Sequence, residues 1–386
     1  MKRDDIIFFN TRKLEELDFL SNSPPSVFIG SKLKYPNVNV GVLTPSQPLK
    51  LVKLLNNQNE WTKMNLGIKQ ILNLRNQLIN SRYQTQVKLN NILTEKSQEI
   101  GMSLKPTDLE ISLIRPPRYE KESDKITKPL TLSAPLKNIR ITENTKINAK
   151  VDKVFSDTDL KASEAINYLY NNEFDESFLQ QLISIGTLGL KKNRKLVPTR
   201  FAITGVHDII GKGLIKEVKN YQTIDDYRFF YGYYLGNHYF VLLLPNLFSY
   251  ELFEYGIRYG QIKDEMTDFE DYYGRKDYAS NSVGGYYAVR LAVLEHLKRI
   301  KRQASIFIIR YETEEYWANL GVWVCETASR KAMDNKYISF YSRENALDFM
   351  RNFIFNKMKQ DVGDVFKRSK LLNYVREQKN LFDFYR

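Results

Sequence analysis

Near the start of the chain, apolar residues come in twos at alternating positions. Val27 and Ile29, then Val38 and Val40, are each followed by a glycine, Gly30 or Gly41. Alternation puts such residues on one face of an extended chain and glycine supplies the turns, so residues 1–50 read as short strands and turns. The pattern changes after Pro48. Glycine and proline thin out as far as Met102, and Ile68, Ile71, Leu72, Leu74 and Leu78 recur at helical spacing, which predicts two or three helices. Leu109, Ile111 and Leu113 alternate again, giving a strand over residues 108–114 that ends at Pro116 and Pro117. Residues 116–150 carry Lys and Pro with few helical signals and read as a connector.

Residues 151–377 read as one α/β domain. A helix is expected over 159–172, with Asp159 either its N-cap or, together with Asp157, a ligand to a divalent metal, and a strand is expected over 200–206. Strands over 227–235 and 238–244 flank Gly236-Asn237, a two-residue hairpin signal. Val289, Val293, Leu297 and Ile300 share one face of a helix over 286–301, residues 305–309 make a buried strand, and helices follow over 317–333 and 344–377. The fold class is therefore mixed α/β (α+β). A mixed sheet flanked by helices fills the C-terminal half. A helical region over 51–115 with short strands fills the N-terminal half, and residues 378–386 form a flexible tail.

Composition narrows the class further. Hydrophobic residues at 42% and aromatics at 13% suffice for a folded core, and 386 residues leave room for two or three domain-sized units. The 58 Lys and Arg exceed the 45 Asp and Glu, for a formal charge of +13. That balance favours nucleic acid as a partner, although lysine-rich proteomes also produce basic enzymes. With Cys325 the sole cysteine, an intrachain disulfide and a cysteine-cluster zinc site are excluded, and no structural zinc is expected. Cys325 itself reads as a core residue. Neither a signal peptide nor an apolar run of spanning length is present, so a cytoplasmic protein with no membrane partner is expected.

Two clusters combine polar density with permissive backbone. In the first, Arg194, Lys195, Thr199 and Arg200 surround Pro198 and lead to His207 and Asp208; cations beside a hydroxyl suit phosphate. The same residues equally describe a solvated loop. In the second, Arg275 and Lys276 precede Gly284, Gly285, Tyr286 and Tyr287, with Arg290 following on the helix. A helix opening at two glycines offers free N–H groups to an anion, and tyrosines offer faces for bases. Against this stands ordinary capping, with half of the tyrosines packing in the core. The sharpest expectation is that both clusters meet in one anion-binding cleft; the rival is that Arg200 and Arg275 pair with Asp208, Asp271 or Glu295 and fasten the fold. Asp157, Asp159, Asp208 and Glu295 are the candidate catalytic carboxylates, none at diagnostic spacing, and a divalent metal enters only if the chain is an enzyme.

The last nine residues carry the most specific motif. Gln378, two free positions, Leu381, two free positions and the pair Phe384-Tyr385 have the spacing of a sliding-clamp ligand. With about three residues per turn, Leu381 and Phe384 fall on one side of a 3₁₀ turn, Tyr385 completes an apolar plug, and Gln378 offers its amide to the clamp backbone. A terminal helix tucked into its own core is the alternative.

Taken together, these motifs make the chain resemble the archaeal Nre family of DNA repair proteins. The matching strings include Ser23-Pro24-Pro25-Ser26, Tyr35-Pro36, Asp157-Thr158-Asp159, Lys195 to Arg200, Tyr273-Gly274-Arg275-Lys276, Gly284-Gly285-Tyr286-Tyr287 and Tyr316-Trp317. They run in order over nearly the whole chain. The resemblance implies an archaeal, nucleoid-associated protein of the DNA damage response that binds PCNA through its C-terminal box. It does not assign a reaction. A DNA-binding repair factor tethered to PCNA, a DNA-processing enzyme such as a metal-dependent nuclease, and an adaptor to other repair proteins all remain open. Two departures matter: many family members open with a four-cysteine zinc finger that residues 1–20 lack, and Phe201 and His207-Asp208 stand where the family shows a tryptophan and paired aspartates.

Overall fold

The computed structural model describes residues 16–119, 132–282 and 284–377. The proposed clamp-binding box, residues 378–386, lies outside them. The chain divides into two compact units, residues 1–210 with 319–321, and residues 211–318 with 322–386. The mixed α/β class is as expected, with a mixed sheet in each unit.

In the first unit, β1 (Asp18–Ser23), β2 (Val27–Ile29) and β3 (Asn37–Thr44) precede α1 (Gln58–Lys63) and α2 (Ile68–Arg75). Then come β4 (Ile79–Gln86), α3 (Ile92–Met102), β5 (Thr107–Leu113), β6 (Arg118–Tyr119) and β7 (Leu132–Ile141). The strands form one sheet in the order β1-β5-β7-β4-β3-β2, with β6 also on β7. Two of these strands depart from the expected helix-and-connector reading. In β4 the inward positions are Ile79, Ser81, Tyr83 and Thr85, so half of the buried face is polar and the hydrophobic alternation is faint. The strand β7 lies within residues read as a connector. It sits between β5 and β4, buries Ala134, Leu136 and Ile139, and is antiparallel to one neighbour and parallel to the other.

The unit closes with α4 (Ala149–Ser156), α5 (Ala162–Tyr170), α6 (Glu176–Ser184) and the start of α7 (Thr199–Val218), a helix within which the division between units falls. Gln181 of α6 ties β2 down: its side chain accepts from Val27 N at 3.1 Å and donates to Pro25 O and Gly101 O, both at 2.7 Å. Helix α7 replaces the strand expected over 200–206. Val206, His207, Ile210, Leu214, Ile215 and Val218 are all buried and recur at three- and four-residue spacing, which a helix gathers on one face and a strand would split between two. Asp159 is likewise not the N-cap of α5, which is Lys161; instead Asp157 Oδ1 accepts from the N–H groups of Asp159 and Leu160 at 3.0 Å.

The second unit holds β8 (Tyr227–Tyr234), β9 (Asn237–Leu244), β10 (Ser249–Arg258), β11 (Gln261–Glu270), α8 (Gly285–Ile300), β12 (Ser305–Glu312), α9 (Trp323–Asp334) and β13 (Ile338–Phe340). It ends in α10 (Arg343–Met358), α11 (Gly363–Arg368) and α12 (Lys370–Glu377). The sheet order is β11-β10-β12-β9-β8-β13, with β10 and β12 parallel and the other pairs antiparallel. The β8–β9 hairpin turns at Leu235-Gly236, one residue earlier than expected; both have positive φ, 47° and 78°, as a type I′ turn requires. Helix α9 starts at Trp323 rather than Trp317. On one face of the sheet Phe229, Phe240, Leu242, Phe253 and Phe307 pack against Ala346, Met350 and Ile354 of α10 and Leu371 and Leu372 of α12. Glu251 caps α12, accepting from Lys370 N at 3.0 Å, Leu371 N at 3.1 Å and the Ser369 hydroxyl. No helix among the described residues is long and apolar enough to cross a membrane.

Candidate functional site

The basic loop of the first unit splits into residues that build it and residues that face outward. Arg194 builds it. Its guanidinium donates to the carbonyls of Gly189 at 2.7 Å, Phe155 at 2.6 Å and Asp157 at 2.7 Å, and partial burial lowers its pKa despite nearby Asp157. Thr199 is also structural, since its hydroxyl accepts from Ile29 N at 3.0 Å and meets Ser184 Oγ at 3.1 Å. Gly186, at φ +72°, lets the chain come close behind Lys195; a Cβ there would sit 2.7 Å from the Lys195 carbonyl carbon.

Among the described residues, the side chains of Lys195 and Arg200 make no such backbone ties. Lys195 is exposed and its ammonium lies 5.9 Å from the centre of the Tyr35 ring, while the Arg200 guanidinium stacks 4.5 Å over Phe201. Tyr35, Lys195 and Phe201 border a cavity of about 270 Å³. Its floor is Val38, Val87 and Leu196, all buried; its rim includes Tyr35, Asn37, Lys195 and Phe201. The floor is tied by backbone bonds, Val87 N to Pro36 O at 2.9 Å and Leu196 N to Val87 O at 2.8 Å, so three distant segments are held in fixed register. Tyr35 and Phe201 are 69% and 51% exposed, which is unusual for aromatic rings beside a pocket. Neither was picked out as a binding residue from sequence. The signal available was an aromatic next to proline in a loop between two strands, and another just after a proline that starts a helix.

The second cluster is in the second unit, and its cations face the protein's own carboxylates. The hairpin of β10 and β11 brings Glu254, Asp268 and Glu270 to the start of α8, all at most 5% exposed. Asp268 Oδ2 accepts from Asn281 N at 3.2 Å, Ser282 N at 2.8 Å and Ser282 Oγ at 2.9 Å, and Oδ1 pairs with Arg275 at 3.0 Å. Arg275 also donates to Phe269 O at 2.9 Å. Arg290, 2% exposed, pairs with Glu270 at 2.6 Å. The register of β10 on β12 sets Glu254 opposite Arg310, whose guanidinium reaches it at 2.6 Å; burial raises the Glu254 pKa and Arg310 pulls it back. Gly284 and Gly285 do open α8, as expected, with φ +80° at Gly284. The place beside them is occupied: a Cβ on Gly285 would lie 2.6 Å from Glu254 Oε1. Tyr286 and Tyr287 are core residues, one donating to Glu270 Oε2 at 2.8 Å, the other accepting from Ala279 N at 2.9 Å. Burial, then Glu270, raises the Tyr286 pKa. Lys276 is exposed. Arg275 thus fastens the fold, through Asp268 of β11 where Asp271 or Glu295 was expected, and Arg290 does likewise through Glu270 of the same strand.

The catalytic candidates are dispersed. Asp157 shapes the turn after α4 and Asp159 is exposed beside it. Asp208 follows His207 on α7, where the buried His207 Nε2 lies 3.0 Å from Gln180 Nε2. Glu295, on α8, makes a two-pronged pair with Arg330, both contacts at 2.8 Å. Among the described residues no group of three or more His, Cys, Asp and Glu side chains is placed to hold a metal ion. Cys325 is buried in α9, which raises its pKa.

Comparison with known proteins places these features in a lineage. A family model described as archaeal Nre, N-terminal, matches residues 6–259, and its C-terminal counterpart matches 270–384. DNA repair protein NreA of Archaeoglobus fulgidus is 37% identical over 347 residues, covering 88% of this chain and 86% of that protein. NreB of the same organism is 35% identical over 375 residues, covering 96% and 92%; NreA of Haloferax volcanii is 30% identical over 328, covering 81% and 77%. No solved structure gives a significant match. The chain belongs to the archaeal Nre family.

Proposed function

We propose that this protein is a DNA repair factor that binds DNA around the cavity of its first unit and is tethered to the PCNA sliding clamp by its C-terminal box. The repair role follows the relatives, all three of which are named DNA repair proteins and align over most of their length. One observation carries the DNA-binding half. All the segments that line the cavity come from stretches without a carboxylate: residues 19–59, 61–94 and 177–207 contain fourteen Lys and Arg and no Asp or Glu. Glu60, the one acid between the first two stretches, is paired with Lys63 at 2.8 Å. A surface drawn from such stretches favours phosphate. Lys195 lines the cavity and Arg200 lies against Phe201 of its rim, and among the described residues no carboxylate pairs with either.

Clamp tethering supplies what a modest DNA-binding surface lacks. It raises the effective concentration at DNA to about the millimolar range with no added contact to DNA. The C-terminal family model runs to residue 384 and so takes in Gln378, Leu381 and Phe384 of the box. Two titrations test the two halves. Lys195→Ala with Arg200→Ala is expected to weaken DNA binding and lower the slope of log K against log salt by about 1–2; an unchanged slope and affinity would remove this surface from DNA binding. Phe384→Ala with Tyr385→Ala is expected to weaken PCNA binding by roughly tenfold or more with the melting temperature unchanged. Equal affinity for PCNA in that variant would end the tether proposal.

A further inference from the structure

We infer that the cavity of the first unit receives a single unstacked nucleobase, with Tyr35 and Phe201 as stacking faces. This rests on the DNA-binding reading and goes further, from a charged surface to a pocket that reads a base out of its stack. Size is the first argument. At about 270 Å³ the cavity is below the usual range for drug-sized ligands, roughly 300–1,000 Å³, and suits one flat ring system rather than a peptide or a duplex.

Chemistry is the second argument. The floor of Val38, Val87 and Leu196 is apolar, and the two large exposed groups at the rim are aromatic rings. Every base has a π-face, so such a wall binds bases with little regard to identity. Asn37, exposed at the same rim, offers an amide donor and acceptor to a base edge. Charge is the third. Lys195 beside Tyr35 and Arg200 against Phe201 put a cation next to each ring, which suits the phosphates on either side of a stacked base. Lastly, the pocket is built in advance. The chain of backbone bonds from Pro36 through Val87 to Leu196 and the close packing behind Lys195 hold its walls without a ligand, so little ordering is left to binding. A pocket of this kind selects DNA whose bases are already free, as in a gap, a flap or a damaged site, because unstacking a paired base costs a few kcal/mol.

The experiment uses the full chain and two fluorescent strands of equal length, an oligo(dT) and the same backbone with abasic sugars. Wild type is expected to bind the base-bearing strand about tenfold or more tightly than the abasic one. Tyr35→Ala and Phe201→Ala, both at exposed positions, should each cut that ratio several-fold while leaving the abasic affinity and the melting temperature as they were. Lys195→Ala should weaken both strands alike. Equal wild-type affinity for the two strands would overturn the base pocket and leave DNA binding intact. A ratio that survives both aromatic substitutions would place base recognition elsewhere and overturn it too. Failure of both strands to bind at low salt would end the DNA-binding reading itself.

Discussion

Arg290→Met is expected to cost the second unit about 3–5 kcal/mol, the usual loss when one partner leaves a buried ion pair. Arg290 is 2% exposed and Glu270 4%, with Nη1 and Oε2 2.6 Å apart. With the guanidinium gone, Glu270 keeps the Tyr286 hydroxyl at 2.8 Å, too little to hold a carboxylate that water cannot reach. In a unit of this size each kcal/mol moves the midpoint by roughly 2–4 °C, so a fall of about 6–20 °C is expected. The assay is thermal unfolding by circular dichroism of Arg290→Met, Glu270→Leu and the double variant. Removing both charges takes away the unpaired ion, so the double should recover to within about 1–2 kcal/mol of wild type, part of the remainder being the stranded Tyr286 hydroxyl. DNA affinity of the double, measured well below its midpoint, should equal wild type. Arg290→Met with a wild-type midpoint and weakened DNA binding would refute the reasoning, because the guanidinium would then serve an external phosphate.

Three further outcomes are expected. Burial holds His296 and His238 at pKa about 4, below the ordinary 6.5, with Arg299 adding to the effect at His296. Since the folded values are depressed, the unfolded chain takes up protons first and stability is lost as pH falls from about 6.5 to 4, by up to about 3 kcal/mol per histidine; His296→Gln should flatten the acid limb of a midpoint-against-pH curve, and an identical limb would contradict this. Gly232→Ala should destabilise the second unit by about 1–3 kcal/mol in urea unfolding, because its Cβ would fall 2.3 Å from the Ala332 backbone nitrogen. Ala332→Gly should not rescue it, the obstacle being backbone. Elemental analysis of the purified chain should find no stoichiometric zinc; about one zinc per chain would mean that His207 and carboxylates form a site after all.

Where one residue and its near neighbours decide the outcome, the sequence was enough. Val27/Ile29 and Val38/Val40 alternate because β2 and β3 bury those positions, and Gly284-Gly285 opens α8 because a residue at φ +80° there has to be glycine. The buried strand β12 and the β8–β9 hairpin were legible for the same reason: local pattern and local conformation agree. Helix α7 was misread because Phe201, Ile203 and Val206 suit a strand over a few residues, and the three- and four-residue spacing from Val206 to Val218 shows only over a longer window.

What the sequence left open was decided by distant partners. The strand β4 buries Ser81 and Thr85, and β11 exposes Gln261 to Met266 on the edge of its sheet, so neither carries a clean hydrophobic signal; their neighbours in the sheet make them strands. Arg275 and Arg290 look alike in sequence to phosphate-binding cations. An arginine does not state its partner, and only the β10–β11 hairpin brings Asp268 and Glu270 to them and the β10–β12 register sets Glu254 against Arg310. The same holds for the cavity. Tyr35, Val87 and Phe201 are far apart along the chain, and the backbone bonds that link Pro36, Val87 and Leu196 are tertiary facts, so the cavity exists only once the sheet and the loop before α7 have closed on each other.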